Sequence, residues 1–118
     1  IAASAIDLVC AHGTGTVLND EMEGALVGRI FDGHKPFVIA LKSWIGHLAA
    51  ACGAVELAIA LACIDAGYLP EIKNLRSPCI KDINYVYSPG QASPGAMIIQ
   101  NFGFGGQNCA LVVKKWKE

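Results

Sequence analysis

The segment that decides the fold is Lys42-Ser-Trp-Ile-Gly-His47, together with the apolar run of residues 48–64 that follows it. Glu56 is the only charged side chain in that run, and the rest is mainly Ala, Leu, Ile and Val. A helix that is apolar on every side is typical of a protein interior, while Glu56 and the short length argue against a membrane span. We therefore predict a helix buried between two layers, with His47 in its first turn and Ser43 as its cap.

Two polar side chains of this segment, His47 and Lys42, predict a functional site. A histidine in the first turn of a helix lies beside unpaired N–H groups and the positive end of the helix dipole. Both favour a neutral imidazole, which can donate a hydrogen bond to a substrate carbonyl. A lysine at the end of a buried strand needs a carboxylate partner. For Lys42 the sequence offers Glu56, Asp20 and Glu23.

Composition limits the classes of protein that this chain can belong to. With 118 residues it forms one domain at most, and its 53% hydrophobic fraction suggests that one face is buried against more protein. A net charge of -1 gives no reason to expect nucleic acid. Neither a signal peptide nor a stop-transfer pattern is recognisable, so we expect a cytoplasmic protein without membrane contact. The five cysteines have no metal-ligand spacing, and we expect buried, reduced thiols and no metal.

The remaining segments alternate between strands and helices, which favours an α/β layered fold with a partly parallel sheet. A helix is predicted over residues 20–31, where Met22, Leu26, Val27 and Ile30 recur at helical spacing. Residues 68–95 hold four of the five prolines and are predicted to form a surface connection. Strands are predicted at residues 5–11, 37–41, 83–87, 96–100 and 109–113.

Two glycine-containing loops follow predicted strands. Ala11-His-Gly-Thr-Gly-Thr16 lies where ligands bind in open α/β sheets, and its hydroxyls can hydrogen-bond a substrate. His12 alone is equally consistent with a structural role. Phe102-Gly-Phe-Gly-Gly106 is either a simple hairpin loop or a loop that aims a backbone N–H at an oxyanion. No Lys-Ser/Thr pair or helix follows it, so it is not a phosphate loop.

Together these segments resemble the C-terminal half of a β-ketoacyl-[acyl-carrier-protein] synthase, a family that includes the ketosynthase domains of polyketide synthases. The resemblance covers nearly the whole chain and follows the family's order. It implies a thiolase-like fold, in which each of two similar halves contributes a five-stranded mixed sheet and helices pack between the sheets. The matching motifs are His12-Gly-Thr-Gly-Thr16 with Asp20 and Glu23, Lys42-Ser43 with Gly46-His47, Gly53 with Glu56, and Asn101-Phe-Gly-Phe-Gly-Gly106 with Asn108.

The resemblance also implies an activity. A cysteine nucleophile takes an acyl group from a carrier-protein thioester, and the enzyme decarboxylates malonyl-carrier protein and condenses the enolate with that acyl group. His12 and His47 would be the catalytic histidines that stabilise the enolate oxygen. Lys42 would be the active-site lysine, held by Glu56 and by Asp20 or Glu23. Thr14 and Thr16 would contact the phosphopantetheine arm, while Phe104 would complete the oxyanion hole with its N–H and gate the acyl pocket with its ring.

The family's nucleophile belongs to the N-terminal half, in a small-residue turn before a helix. Cys52 comes nearest in this chain, but it lies inside the predicted apolar helix. We therefore interpret residues 1–118 as a C-terminal thiolase-like domain that is inactive alone. Its implied partners are the N-terminal half, a second copy in a homodimer and acyl carrier protein, with no tightly bound cofactor.

The sequence also bears on three alternatives. A thiolase would carry a cysteine in the loop at residues 102–106, which has none. The initiating synthases of the superfamily use one histidine and one asparagine, whereas His12 and His47 favour the elongating, two-histidine type. A non-catalytic, chain-length-factor-like partner subunit stays open, because the nucleophile is missing, although Lys42 and both histidines argue against it.

Overall fold

The computed structural model describes residues 1–116, which form an α/β chain with short connections. Two 3₁₀ turns, Ala3–Ala5 and Ala49–Ala51, precede the first strand and the third helix. The strands and helices, in chain order, are β1 Leu8–Cys10, α1 Val17–Ile30, β2 Phe37–Ile39, α2 Lys42–Ile45, α3 Cys52–Asp65, β3 Tyr68–Leu69, β4 Gly90–Gln91, β5 Ala96–Gly103 and β6 Gln107–Lys114.

The fold is built on one mixed sheet with the strand order β2-β1-β5-β6. β1 is parallel to both β2 and β5, and the hairpin of β5 and β6 is antiparallel. The predicted α/β fold with a partly parallel sheet is confirmed. Within the described residues the sheet has four strands rather than the five that the resemblance implied. The predicted strand at 83–87 is reduced to one parallel bridge between Val38 and Tyr85, at the edge where a fifth strand would lie.

The two faces of the sheet bury different side chains because successive residues of a strand point to opposite faces. On one face, Val9 and Val38 pack with Val27 of α1 and with Phe31, the residue that follows this helix. On the other face, α3 and the neighbouring chain cover a second core that contains Leu8, Cys10, Ile39, Leu41, Ala60, Ile64 and Met97.

The apolar helix differs from its prediction in two ways. It begins at Cys52 rather than at Leu48, because Gly46 (φ 73) and Ala49 (φ 51) turn the chain away from helical geometry. It is also buried along one stripe only, every fourth residue, whereas Leu61 on another face is 39% exposed. The sheet supplies a single covering layer, and no second layer lies over α3 among residues 1–116.

Helix α1 exists as predicted, but the predicted apolar positions do not define its buried face. Met22 and Ile30 are exposed, while Glu23, Gly24 and Val27 are buried. One cause is a close approach by a segment distant in sequence: a Cβ on Gly24 would lie 2.7 Å from Cγ1 of Ile80, so this glycine lets the following connection approach the helix closely.

The connection at residues 68–95 contributes to the core instead of only covering the surface. Ile72, Ile83 and Tyr85 pack against the α1 side of the sheet, and Leu69 and Val86 belong to the core on the α3 side. β3 and β4 form a small antiparallel pair within it.

The thiols only partly follow the prediction. All five cysteines are free, and Cys10 and Cys52 are buried as expected. Cys63 is partly exposed, and Cys79 and Cys109 are exposed, because they lie on an irregular connection and on the outer strand β6. Among residues 1–116 no helix is both long enough and apolar enough to cross a membrane.

Candidate active site

The predicted catalytic side chains meet at one edge of the sheet. His12 follows β1, and Lys42 and His47 follow β2, so the parallel strands deliver them to the same edge. The ring centroids of His12 and His47 lie 5.7 Å apart, with the rings nearly perpendicular at 89°. Lys42 and His47 both border a cavity of about 680 Å³ between α1 and the connection at residues 72–85.

His12 is buried, and its protonation is governed by its surroundings. Its Nδ1 lies 3.2 Å from Oδ1 of Asn101, and because an amide oxygen only accepts, Nδ1 carries the proton and Nε2 the lone pair. Burial lowers the pKa of His12, and the positive charge of Lys42 lowers it further. The ring of Phe102 lies edge-on, 5.6 Å from the imidazole. His12 therefore presents a neutral ring with an acceptor nitrogen.

His47 has the opposite arrangement. The backbone N–H of Ala49 donates to its Nδ1 over 3.0 Å, which places the lone pair on Nδ1 and the proton on Nε2 in the neutral ring. The predicted place in the first turn of the long helix is wrong, because His47 lies in the turn between α2 and the 3₁₀ turn. The predicted cap is also wrong: Ser43 Oγ donates to the carbonyl of Ala40. His47 thus offers an N–H donor from an exposed position.

Lys42 is buried and paired as predicted. Its Nζ lies 2.6 Å from Oε1 of Glu56, whose side chain is 0% exposed. Asp20 and Glu23, the other predicted partners, bond elsewhere: Asp20 accepts from Gly15 N and Asn19.

Glu23 instead anchors the loop that carries His12. Its two carboxylate oxygens accept from the backbone N–H groups of His12 and Gly13, at 2.7 and 2.8 Å. They also accept from Gln100 Nε2 at 2.7 Å and from Asn19 Nδ2 at 3.1 Å. Four donors satisfy this buried carboxylate, and they hold the backbone of His12 in place.

The residues predicted to contact the substrate, Thr14, Thr16 and Phe104, lie in two separate loops. Thr14 and Thr16 are joined through their hydroxyl oxygens at 2.9 Å, and Thr14 borders the cavity. Phe104 lies at the tip of the hairpin of β5 and β6, with its ring fully exposed. Its neighbours Gly105 and Gly106 both have φ 80.

Three site residues were not assigned a role from the sequence: Asn101, Phe102 and Gln100. The first two lie inside a predicted motif, but only the register of β5 shows that they reach His12. A signal for Gln100 exists, because an amide at the end of an otherwise apolar strand requires a polar partner when it is buried.

A nucleophilic thiol is not available beside the histidines. Burial, helped by the negative charge of Glu56, raises the pKa of the Cys10 thiol to about 12. Cys52 is buried and its sulfur is engaged by Leu48 N at 3.1 Å. Neither cysteine resembles an accessible thiolate.

Comparison with known proteins identifies the family. The family described as Beta-ketoacyl synthase, C-terminal domain, matches residues 1–76. The 3-oxoacyl-[acyl-carrier-protein] synthase 2 of Mycobacterium tuberculosis (strain ATCC 25618 / H37Rv) is 34% identical over 119 residues, covering 98% of this chain and 28% of that protein. The chain belongs to the β-ketoacyl synthase family.

Solved ketosynthase structures confirm the thiolase-like fold. A β-ketoacyl synthase from Burkholderia phymatum STM815 superposes with a TM-score of 0.91 at 29% identity, over 99% of this chain and 29% of that one. The ishigamide ketosynthase/chain length factor gives a TM-score of 0.90 at 27% identity, over 99% of this chain and 30% of that one. The chain therefore spans less than a third of the length of these relatives and corresponds to the C-terminal part of a ketosynthase.

Proposed function

We propose that residues 1–118 form the C-terminal thiolase-like domain of a β-ketoacyl-ACP synthase of the elongating, two-histidine type. The reaction is a decarboxylative Claisen condensation of acyl and malonyl thioesters, in fatty acid or polyketide synthesis. The observation that carries the proposal is the meeting of two histidines beside a buried lysine, with Nδ1 bonded to an acceptor in His12 and to a donor in His47. Such a site can stabilise charge on an oxygen without an accessible nucleophile of its own.

His47 is the donor in this proposal. When the malonyl carboxyl group leaves as carbon dioxide, the electron pair of the broken carbon–carbon bond forms an enolate, and its charge gathers on the thioester oxygen. The Nε2–H of His47 donates to that oxygen, since Nδ1 is held as an acceptor by Ala49 N. The enolate carbon then attacks the acyl thioester carbonyl, and the nucleophile's thiolate departs.

His12 has a complementary role. With Nδ1 donating to Asn101, its Nε2 accepts, so it donates to the enolate only if the Asn101 amide turns over. We assign to His12 the binding of a water molecule beside the malonyl carboxylate, which refines the expectation that both histidines stabilise the enolate. Lys42 keeps His12 neutral through its charge, and Glu56 holds Lys42 in place.

The other parts of the reaction come from an N-terminal half, from acyl carrier protein and from two further segments of this chain. An N-terminal half supplies the cysteine nucleophile, and acyl carrier protein delivers substrate on phosphopantetheine, which Thr14 and Thr16 contact. Phe104 contributes its N–H and its gating ring once that half is in place. The intact synthase is a cytoplasmic homodimer in this proposal, and the isolated chain is inactive.

Malonyl-carrier decarboxylation tests the proposal in the intact synthase. His47→Ala should lower kcat by roughly 100-fold or more, as expected for loss of an oxyanion donor. His34→Ala is the matched control, because His34 bonds the carbonyl of Ile6 on the α1 side, away from the site, and it should leave the rate within about twofold. An unchanged rate for His47→Ala would favour a chain-length-factor-like role for this chain and overturn the catalytic assignment.

A further inference from the structure

The buried thiol of Cys52 touches the imidazole of His47. Cys52 is the first residue of α3 and is 2% exposed. Its Sγ lies 3.4 Å from Nδ1 of His47, within the range of a sulfur hydrogen bond. The same sulfur lies 3.1 Å from the backbone nitrogen of Leu48. The thiol is therefore enclosed by two polar contacts in an otherwise apolar helix start.

The neighbouring backbone determines the direction of the contact between sulfur and imidazole. Ala49 N–H donates to Nδ1 of His47, so Nδ1 has no proton to give. Leu48 N–H donates to Sγ, so the sulfur is already an acceptor. The S–H proton of Cys52 is then the one available to bridge the two atoms, and it points to Nδ1. Two donors, one backbone N–H and one thiol, converge on the same nitrogen.

We propose that Cys52 is a positioning residue: its thiol donates to Nδ1 of His47 alongside Ala49 N–H and holds the imidazole in the orientation that presents Nε2–H to the substrate. This assignment rests on the proposed function of His47 as the enolate donor. The role differs from that of a nucleophile, because the thiol keeps its proton and lies out of solvent.

Two substitutions separate hydrogen bonding from packing. Cys52→Ala removes the donor, and Cys52→Ser keeps one. Cys63→Ala is the matched control, since Cys63 lies in the same helix and its thiol has no hydrogen bond to the other described side chains. In the intact synthase, Cys52→Ala should lower kcat for malonyl-carrier decarboxylation by roughly threefold to tenfold with KM unchanged, in keeping with one weak neutral hydrogen bond. Cys52→Ser should stay within about twofold of the parent, as should Cys63→Ala.

Nitrogen NMR of the labelled His47 ring provides a readout that does not depend on activity. Because Ala49 N–H still donates to Nδ1, all variants should keep the lone pair there, but the Nδ1 resonance of Cys52→Ala should shift away from that of the parent and Cys52→Ser, since one donor is lost. If Cys52→Ala leaves both the Nδ1 resonance and kcat unchanged, the thiol is only a packing group and the inference is wrong. If the parent does not decarboxylate malonyl-carrier protein, the proposed function fails, and the nitrogen measurement still decides whether Cys52 donates to the ring.

Discussion

Lys42 Nζ lies 2.6 Å from Oε1 of Glu56, and the two side chains are 4% and 0% exposed. This ion pair joins the start of α2 to the second turn of α3, across the turn that carries His47. The second oxygen of Glu56 has no hydrogen-bond partner among the described side chains and backbone. The pair thus connects the two elements on either side of the site, at a desolvation cost that its single contact must offset.

Removing one partner of this pair should be strongly destabilising. Glu56→Ala leaves a buried ammonium without a carboxylate, and we expect the free energy of unfolding of the intact protein to fall by about 3 kcal/mol or more. Chemical denaturation measures the change. Asp82→Ala is the matched control, because Asp82 pairs with Lys35 at the surface, where both side chains are mostly exposed, and its loss should cost less than about 1 kcal/mol. Equal losses for the two variants would contradict the burial of Lys42 and Glu56.

The pH dependence of stability should report the burial of His12. Its pKa in the folded protein is lowered by burial and by Lys42, below the ordinary value of 6.5. The unfolded chain therefore binds the proton first, so the stabilising contribution is complete above about pH 6.5 and is lost as the pH falls through the folded pKa. His12→Gln should flatten the stability profile below about pH 6.5, measured by denaturation at each pH. A profile that keeps the parent's slope would show that His12 titrates normally.

Glu23 should be essential for the loop that carries His12. Glu23→Gln replaces one acceptor oxygen with an NH₂ group that faces backbone donors, and a buried donor without a partner costs about 1–3 kcal/mol. We expect a loss of unfolding free energy in that range, together with faster amide hydrogen exchange at His12 and Gly13. Glu21→Gln, on the exposed side of the same helix, should change stability by less than about 0.5 kcal/mol. Unaltered exchange in Glu23→Gln would mean that other contacts hold the loop.

What the sequence could predict depended on whether the physical cause was local. The run at residues 5–11 is apolar enough to require a buried strand, and a lysine beside an apolar helix requires a carboxylate, for which Glu56 is one of three candidates. The strand forms over Leu8–Cys10, and Glu56 is the partner. The resemblance to the synthase family carried the positions of His12 and His47, which no periodicity could supply.

The structural features that the sequence did not predict correctly have long-range or conformational causes. The buried face of α1 follows from Glu23, whose partners are backbone groups of a distant loop and an amide in β5, so apolar spacing alone pointed to the wrong face. The start of α3 depends on the positive φ of Ala49, which no residue type announces. The opposite proton placements of His12 and His47 depend on hydrogen bonds to Asn101 and to a backbone N–H, and only coordinates reveal these contacts.

Two glycines of α1 should respond oppositely to alanine. At Gly24 a Cβ would lie 2.7 Å from Cγ1 of Ile80, so Gly24→Ala should destabilise by about 1–3 kcal/mol through overpacking. At Gly28 a Cβ would meet nothing within 4 Å, and Gly28→Ala should stabilise by about 0.5–1 kcal/mol, since alanine loses less entropy in a helix. Thermal unfolding of both variants checks the pair, and a gain in stability for Gly24→Ala would show that the connection at Ile80 moves aside easily.

The hairpin tip at Phe104 should separate two functions in the intact synthase. Phe104→Ala keeps the backbone N–H and removes a fully exposed ring, so it should alter acyl-chain preference and lower acyl transfer by roughly tenfold, while decarboxylation changes by less than about twofold. Tyr87→Ala is the matched control, because it removes an exposed aromatic ring that lies outside this hairpin. It should leave both rates unchanged.

Gly105→Val tests the backbone of the same tip, because φ 80 suits glycine and a β-branched residue there costs about 1–3 kcal/mol of strain. The strained loop should lose its alignment, so both acyl transfer and decarboxylation should fall. Paired assays of the two half-reactions on one enzyme preparation distinguish the variants. Equal losses of both half-reactions in Phe104→Ala would mean that the ring supports the loop and does not gate the acyl pocket.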